Sequence, residues 1–317
     1  MTQRILVLGG SGLVGNGIKT NIPSDTFDEY IFSSSSQCNL MDYEETLDYF
    51  NIIKPDKVIH LAAYVGGLFR NLNEKLKMWN NNVMINQNVL SACHETNVKM
   101  CICCLSTCIF PDDTSYPINE TMLHNGPPHD SNFSYAYAKR MLQIGCRVYN
   151  EQYTDGCNFV CVIPTNIYGP HDNFNLDTAH VIPALIHKCY LAKENNTDFV
   201  ICGTGSPLRQ FIYSLDLATM IIKLMNDYKK DETNTIILSV DEADEISICD
   251  VARFIARGFE WESRMVFDDK YADGQYKKTA DNGKWKALYG DIDTLTIDEG
   301  IQNTIRWFKT NYGNLRK

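Results

Sequence analysis

Short apolar runs alternate with longer, mixed segments from the amino terminus to about residue 164. Runs at Arg4 to Leu8, Tyr30 to Ser33, Lys57 to Ala62, Val98 to Leu105 and Asn158 to Pro164 have the length of strands. Between them, Tyr43 to Ile53 offers Leu47 and Phe50 to Ile53 to one helical face. Asn71 to Thr96 is long and polar apart from Leu72, Leu76, Trp79, Val83, Ile85 and Val89, and Ser134 to Tyr153 reads as a further helix. Strand-length runs alternating with helical ones predict parallel strands joined by crossover helices. The fold class expected is α/β, a Rossmann-like doubly wound parallel sheet built from five βα units. After Pro164 the stretch Asn166 to Asn175, rich in Gly, Pro, Asn and His, predicts a loop between domains. Less regular alternation follows, closing on a helix from Ile297 to Tyr312. Residues 1–165 are therefore expected to form a dinucleotide-binding domain with return segments from about 207–240, and residues 166–317 a smaller α/β substrate domain.

A chain of 317 residues has room for such a pair at roughly 150 residues per domain. Its net charge of −10 argues against sequence-independent binding of nucleic acid or anionic membrane, so an anionic small molecule would need a locally basic pocket. No apolar run approaches the roughly 20 residues of a membrane span, and no cleavable signal pattern precedes the first strand, which predicts a cytoplasmic protein. That compartment changes the reading of the twelve cysteines, because structural disulfides are rare where thiols stay reduced. Cys101 and Cys104 form a nominal C-x-x-C, yet positions i and i+3 of a strand face opposite ways, so no metal site is expected. Most of the set reads as small apolar filler.

The first strand runs into Gly9-Gly10-Ser11-Gly12-Leu13-Val14-Gly15 and then a helix. Gly9 permits the tight turn, Gly12 lets backbone N–H groups approach a pyrophosphate, and Gly15 lets the helix pack closely with its positive end on the phosphates. Its place between strand and helix marks this loop as dinucleotide-binding. The second strand ends in Ser33-Ser34-Ser35-Ser36-Gln37, with no carboxylate before Asp42, which favours a ribose 2′-phosphate and hence NADP(H). No arginine lies between Arg4 and Arg70 to act as its usual positive partner.

Tyr135-Ala136-Tyr137-Ala138-Lys139 contains Tyr-x-x-x-Lys on a predicted helix, and a four-residue step puts the two side chains on one face. The ammonium is expected to lower the phenol's pKa and ready it to exchange a proton with a carbonyl or alkoxide oxygen. Ser106, at the carboxyl end of the fourth strand, lies where open α/β sheets bind ligands. With the glycine loop, this triad resembles the short-chain dehydrogenase/reductase superfamily, and the length resembles its extended branch, which acts on nucleotide sugars.

Longer segments narrow the resemblance. Ile59-His60-Leu61-Ala62-Ala63, Val65 to Asn71, Leu105-Ser106-Thr107-Cys108-Ile109-Phe110-Pro111, His124 to His129, Pro164-Thr165-Asn166, Gly169 to Phe174 and Arg209 to Ser214 together resemble the GDP-L-fucose synthase family. The resemblance implies an NADPH-dependent enzyme that epimerises GDP-4-keto-6-deoxy-D-mannose at C3 and C5 and then reduces C4. A C4 ketone acidifies the hydrogens on both neighbouring carbons, and inversion needs a base on one face and an acid on the other. Cys108 and His180 match the family's acid/base pair, while Tyr135, Lys139 and Ser106 serve the oxygen at C4. The resemblance further implies cofactor contacts at Lys139, Pro164, Thr165, Asn166, Ile167 and His180, and GDP-sugar contacts at Lys188, Cys202, Arg209 and Asp273. The family usually carries Trp where this chain has Cys202, whose thiol offers guanine no broad aromatic face. A homodimer seamed by the helices at 71–96 and 134–153 is implied as well. Another extended-branch epimerase or dehydratase would lack the Cys108 and His180 pair. An NADP-sensing regulatory protein would typically have lost Tyr135 and Lys139.

Overall fold

The structure is a computed structural model that describes residues 2–229, 233–270 and 275–315, with backbone only at 68 and 69. In chain order its first half holds β1 (Arg4–Leu8), α1 (Leu13–Asn21), β2 (Glu29–Ser33), α2 (Tyr43–Ile53), β3 (Lys57–His60), α3 (Leu68–Asn73), α4 (Lys75–Glu95), β4 (Met100–Cys104), α5 (Phe133–Gln152) and β5 (Asn158–Pro164). The second half adds β6 (Asn166–Tyr168), α6 (Val181–Glu194), β7 (Phe199–Cys202), β8 (Leu208–Arg209), β9 (Phe211–Tyr213), α7 (Ser214–Asn226), β10 (Thr235–Leu238), β11 (Ile246–Ser247), α8 (Ile248–Gly258), β12 (Met265–Asp268), α9 (Gly283–Tyr289) and α10 (Ile297–Asn311).

Six strands pair in parallel in the order β2-β1-β3-β4-β5-β10, so the expected α/β sheet is present. The period of two along each strand divides the apolar residues between two cores. Leu6, Leu8, Val58, Cys101, Cys103, Phe159 and Cys161 face one layer, which also holds buried residues of α4 and α5. Ile5, Val7, Ile59, Ile102, Val160 and Val162 face the other, with α1, α7 and α9. A third core unites β7, β9, α6, α8 and α10. The chain leaves β1 for β2 on one side and returns for β3 on the other, which opens a crevice beyond the carboxyl ends of β1 and β3.

Three expectations are corrected. The helix predicted from Asn71 to Thr96 is two helices broken at Glu74, whose backbone (φ −119°, ψ 38°) leaves helical geometry. On α4 the predicted apolar stripe is partly inverted: Leu76 is 72% exposed while Asn82 and Asn86 are buried, because those amides serve as hydrogen-bond partners for neighbouring segments. The loop expected from Asn166 begins instead as β6, which pairs with β9. The sixth strand of the main sheet, β10, lies within the 207–240 segment.

Candidate active site

The glycine loop sits in the crevice. Gly9 has φ +80°, and a Cβ there would lie 2.9 Å from the Ala62 nitrogen just beyond β3. Any side chain would therefore be strained and would push the loop away from the next strand. A Cβ on Gly15 would meet the Gly10 carbonyl oxygen at 2.5 Å, so its absence lets α1 start directly against the turn. Gly12 caps α1 without a side-chain hydrogen bond, which leaves the first-turn N–H groups, including those of Leu13 and Val14, open to an anion. Ser11 frames the loop by accepting from Asn16 Nδ2 at 3.0 Å. At the end of β2, Ser34, Ser36 and Gln37 bond to one another. A cation that α1 brings beside β2 is Lys19, whose Nζ lies 6.0 Å from the Phe32 ring.

Pro164 ends β5, Thr165 follows it, and Asn166 and Ile167 begin β6. Asn166 Nδ2 donates to the Gln210 carbonyl. Thr165 is buried, and its Oγ1 lacks a hydrogen-bond partner at the carboxyl end of the sheet. An open helix terminus, a loop that admits no Cβ and an orphaned hydroxyl along one sheet edge fit a dinucleotide.

Tyr135 and Lys139 are both buried on α5, with Nζ 5.8 Å from the phenol ring. Lys139 Nζ donates to the Cys104 carbonyl at 2.7 Å, which ties α5 to the end of β4. Burial, reinforced by the Cys108 and Cys104 thiols, pushes the phenol well above its ordinary pKa. The lowering expected from Lys139 is thus not what this arrangement produces: desolvation of the phenol dominates, and burial also lowers the ammonium itself. Ser106 follows β4 in extended conformation and caps a short 3₁₀ turn, its Oγ accepting from the Cys108 N–H at 3.4 Å. That turn carries Cys108 into a small cavity with Tyr116, His129, Gln275 and Lys278. Burial raises the Cys108 thiol, opposed first by the positive charge of Lys278, then by the Ser106 hydrogen bond and Lys139.

His180 caps α6. It is exposed, yet desolvation by its surroundings holds its imidazole below the ordinary pKa. The segment before it is set by Gly67, whose N–H donates to the Thr178 carbonyl at 2.9 Å and whose missing Cβ would clash with the Ala179 carbonyl. Lys188 and Cys202 line a second, open cavity with Asp268, and Lys188 Nζ stands 3.6 Å from the Cys202 sulfur. Arg209 binds the carbonyls of Leu208, Gln275 and Tyr276. Asp273 lies outside the described residues.

Two residues near Cys108 escaped the sequence reading. Lys278 carries no local motif and reaches the cavity only through the return of the 275–280 segment. Arg140 follows Lys139 directly, and its Nε donates to the Ile109 carbonyl at 2.6 Å. Adjacency to Tyr-x-x-x-Lys was its only signal.

A family model described as NAD dependent epimerase/dehydratase family matches residues 5–238. The GDP-L-fucose synthase of Dictyostelium discoideum is 55% identical over 317 residues, covering 99% of this chain and 98% of that protein. A probable GDP-L-fucose synthase of Drosophila melanogaster is 43% identical, covering 99% of this chain and all of its own. Among solved structures, a GDP-L-fucose synthetase from Naegleria fowleri bound to NADP superposes with a TM-score of 0.94 at 45% identity, covering 100% of this chain and 97% of that one.

Proposed function

The chain belongs to the NAD dependent epimerase/dehydratase family, and within it to the GDP-L-fucose synthases, and from that premise we propose a division of labour in its active site. The reaction converts GDP-4-keto-6-deoxy-D-mannose to GDP-L-fucose by inversion at C3 and C5 and reduction at C4. The observation that carries the reading is the convergence of Cys108 with Tyr135, Lys139 and Ser106 at the carboxyl end of β4, since reduction alone needs no thiol there.

Inversion requires a proton acceptor and a proton donor. Local desolvation holds His180 below its ordinary pKa, neutral at pH 7 and fit to accept, and burial keeps Cys108 a thiol, fit to donate. Ser106 and Tyr135 hydrogen-bond the C4 oxygen while it carries the enolate charge. In the reduction Tyr135 gives its proton to that oxygen, and Lys139 offsets the charge left on the phenol. NADPH, when bound, supplies the hydride; Gly9 to Gly15, Lys139, Pro164 to Ile167 and His180 hold it. At the far end of the substrate, Lys188 and Arg209 supply positive charge for the diphosphate and Cys202 borders the base, with Asp273 assigned to the substrate on the family resemblance. Residues 1–165 with the 207–240 return form the cofactor unit, and the remainder chiefly the substrate unit.

The proposal includes a homodimer joined through α4 and α5. Phe133, Tyr137, Met141, Ile144 and Val148 support it, an exposed stripe at steps of three and four along α5. The proposal places the protein in the cytoplasm, where its twelve cysteines would stay reduced.

Purified protein mixed with NADPH and GDP-4-keto-6-deoxy-D-mannose should oxidise the cofactor and yield GDP-L-fucose; neither product appearing sinks the reading. Tyr135→Phe should abolish reduction yet retain exchange of C3 and C5 hydrogens with deuterated water, and Cys108→Ser should lose that exchange. Equal losses of both activities in both variants contradict the assignment.

A further inference from the structure

Gln210, between β8 and β9, is fully buried, and its side-chain amide is bonded entirely to main chain. Its Oε1 accepts from the Ala280 N–H at 2.7 Å, and its Nε2 donates to the Ala280 carbonyl at 3.2 Å and to those of Val240 and Asp241, each at 3.1 Å. The main-chain carbonyl of Gln210 accepts from the Asn166 N–H at 3.3 Å and from Asn166 Nδ2 at 2.9 Å. One residue thus joins the start of β6, the chain beyond β10 and the end of the 275–280 segment. On the other side of that segment, the Thr279 carbonyl and the Asp281 N–H are both bonded to the Ile118 backbone at 2.8 Å. At its beginning, the Tyr276 carbonyl accepts from the Leu208 N–H at 2.8 Å, and Arg209 binds the carbonyls of Gln275 and Tyr276. Between these fixed ends lies Lys278, which lines the small cavity that holds Cys108. Gln275 lines it too, and its Nε2 donates to the Tyr116 hydroxyl at 3.0 Å.

We infer that Gln210 is a positioning residue for the epimerisation half of the reaction: its amide fixes the 275–280 segment, and with it Lys278, on the wall of the Cys108 cavity, in register with the strand that opens at Asn166. The inference rests on the acid/base role given to Cys108 above. When the thiol gives its proton to the substrate carbon, the electron pair of the S–H bond stays on sulfur until water returns a proton. Of the charges that oppose the burial of that sulfur, Lys278 acts most strongly. Tyr135 and Lys139 stand on α5 and Ser106 follows β4, elements to which the Gln210 side chain makes no hydrogen bond, so the reduction does not depend on it. A buried amide whose partners are all main chain transmits its own position to the segment it binds, because losing it strands those backbone groups.

The test compares two partial reactions of the full-length enzyme. One is exchange of the substrate's C3 and C5 hydrogens with deuterated water; the other is transfer of the C4 hydride from GDP-L-fucose to NADP, which calls on Tyr135 and not on Cys108. Gln210→Met keeps the side chain's length without its hydrogen bonds, and should lower exchange about tenfold or more while hydride transfer and NADP affinity stay within about threefold. A general loss of folded enzyme would lower both reactions alike. Gln210→Glu, which still accepts from the Ala280 N–H but as a carboxylate donates to no carbonyl, should show the same split and serves where the Met variant does not fold. Lys278→Met should itself lower exchange about tenfold, and adding Gln210→Met to it should cost less than about a further threefold, because the segment then has no ammonium to deliver. Exchange within about threefold of wild type in Lys278→Met or in a folded Gln210 variant, equal losses in the two partial reactions, or losses that multiply in the double variant overturn the inference. A wild-type enzyme that exchanges no substrate hydrogen sinks the functional reading instead, whatever the residue at 210 does.

Discussion

Cys101 and Cys108 stand seven positions apart in one cysteine-rich segment and meet different surroundings. Cys101 points into the core, its sulfur 3.7 Å from that of Cys103, as the period of two along β4 requires. Cys108 has left the strand on a turn capped by Ser106 and faces a cavity with Lys278. The environment of the acid/base pair leads to a pH prediction. His180 titrates below its ordinary 6.5, so it stays neutral at pH 7 and gains a proton only as pH falls through that lowered value. Cys108 titrates above its ordinary 9.0, so it stays a thiol until pH rises through that higher value. Hydrogen exchange at C3 and C5, followed by NMR in deuterated buffer, should therefore hold a plateau through neutral pH, with an acid limb below about 6.5 and an alkaline limb above about 9. A limb centred near pH 7 would contradict the roles.

The helices α4 and α5 show the same dependence on surroundings at the next scale. On α4, Asn82 accepts from the Tyr64 N–H at 2.9 Å and donates to the Tyr64 carbonyl at 2.9 Å and the Met78 carbonyl at 2.7 Å. One turn on, Asn86 meets His60 Nε2 at 3.0 Å at the end of β3. These amides satisfy the polar groups of a chain that leaves the sheet towards the active site, which is why they are buried. Asn82→Ala should cost roughly 2–3 kcal/mol by stranding the Tyr64 backbone groups, measurable by denaturant unfolding. A loss under about 0.5 kcal/mol would mean water replaces the amide without penalty. The apolar stripe of α5 points outward instead. Ile144→Glu should convert the proposed dimer to monomer in light scattering without changing the far-ultraviolet spectrum. A wild-type monomer at micromolar concentration would remove that part of the proposal.

Across the whole molecule, two cores flank the main sheet and a third holds β7, β9, α6, α8 and α10 together. NADPH contacts that form only in the folded state should raise the Tm, by an amount equivalent to about 2.7 kcal/mol when the ligand stands at a hundredfold its Kd. NADH at the same concentration should give a smaller shift, and Lys19→Met should narrow the difference. Equal shifts from both cofactors would remove the reading of the serine-rich turn after β2. The strands, the glycine loop and the Tyr135 and Lys139 pairing were legible in the sequence because they rest on short periods and local backbone sterics. Expectations that depended on what lies across a gap fared differently: Leu76 of α4 points outward, the helix breaks at Glu74, and burial pushes the Tyr135 phenol in the direction opposite to that expected. Lys278 and Arg140 gave no motif to read, since their approach to Cys108 is made by a distant segment and by a carbonyl on another element. Local sequence determined which segments become strands and helices and where the phosphate loop lies. Only the tertiary structure decided which charges surround each reactive group, because desolvation and Coulomb interaction act through space.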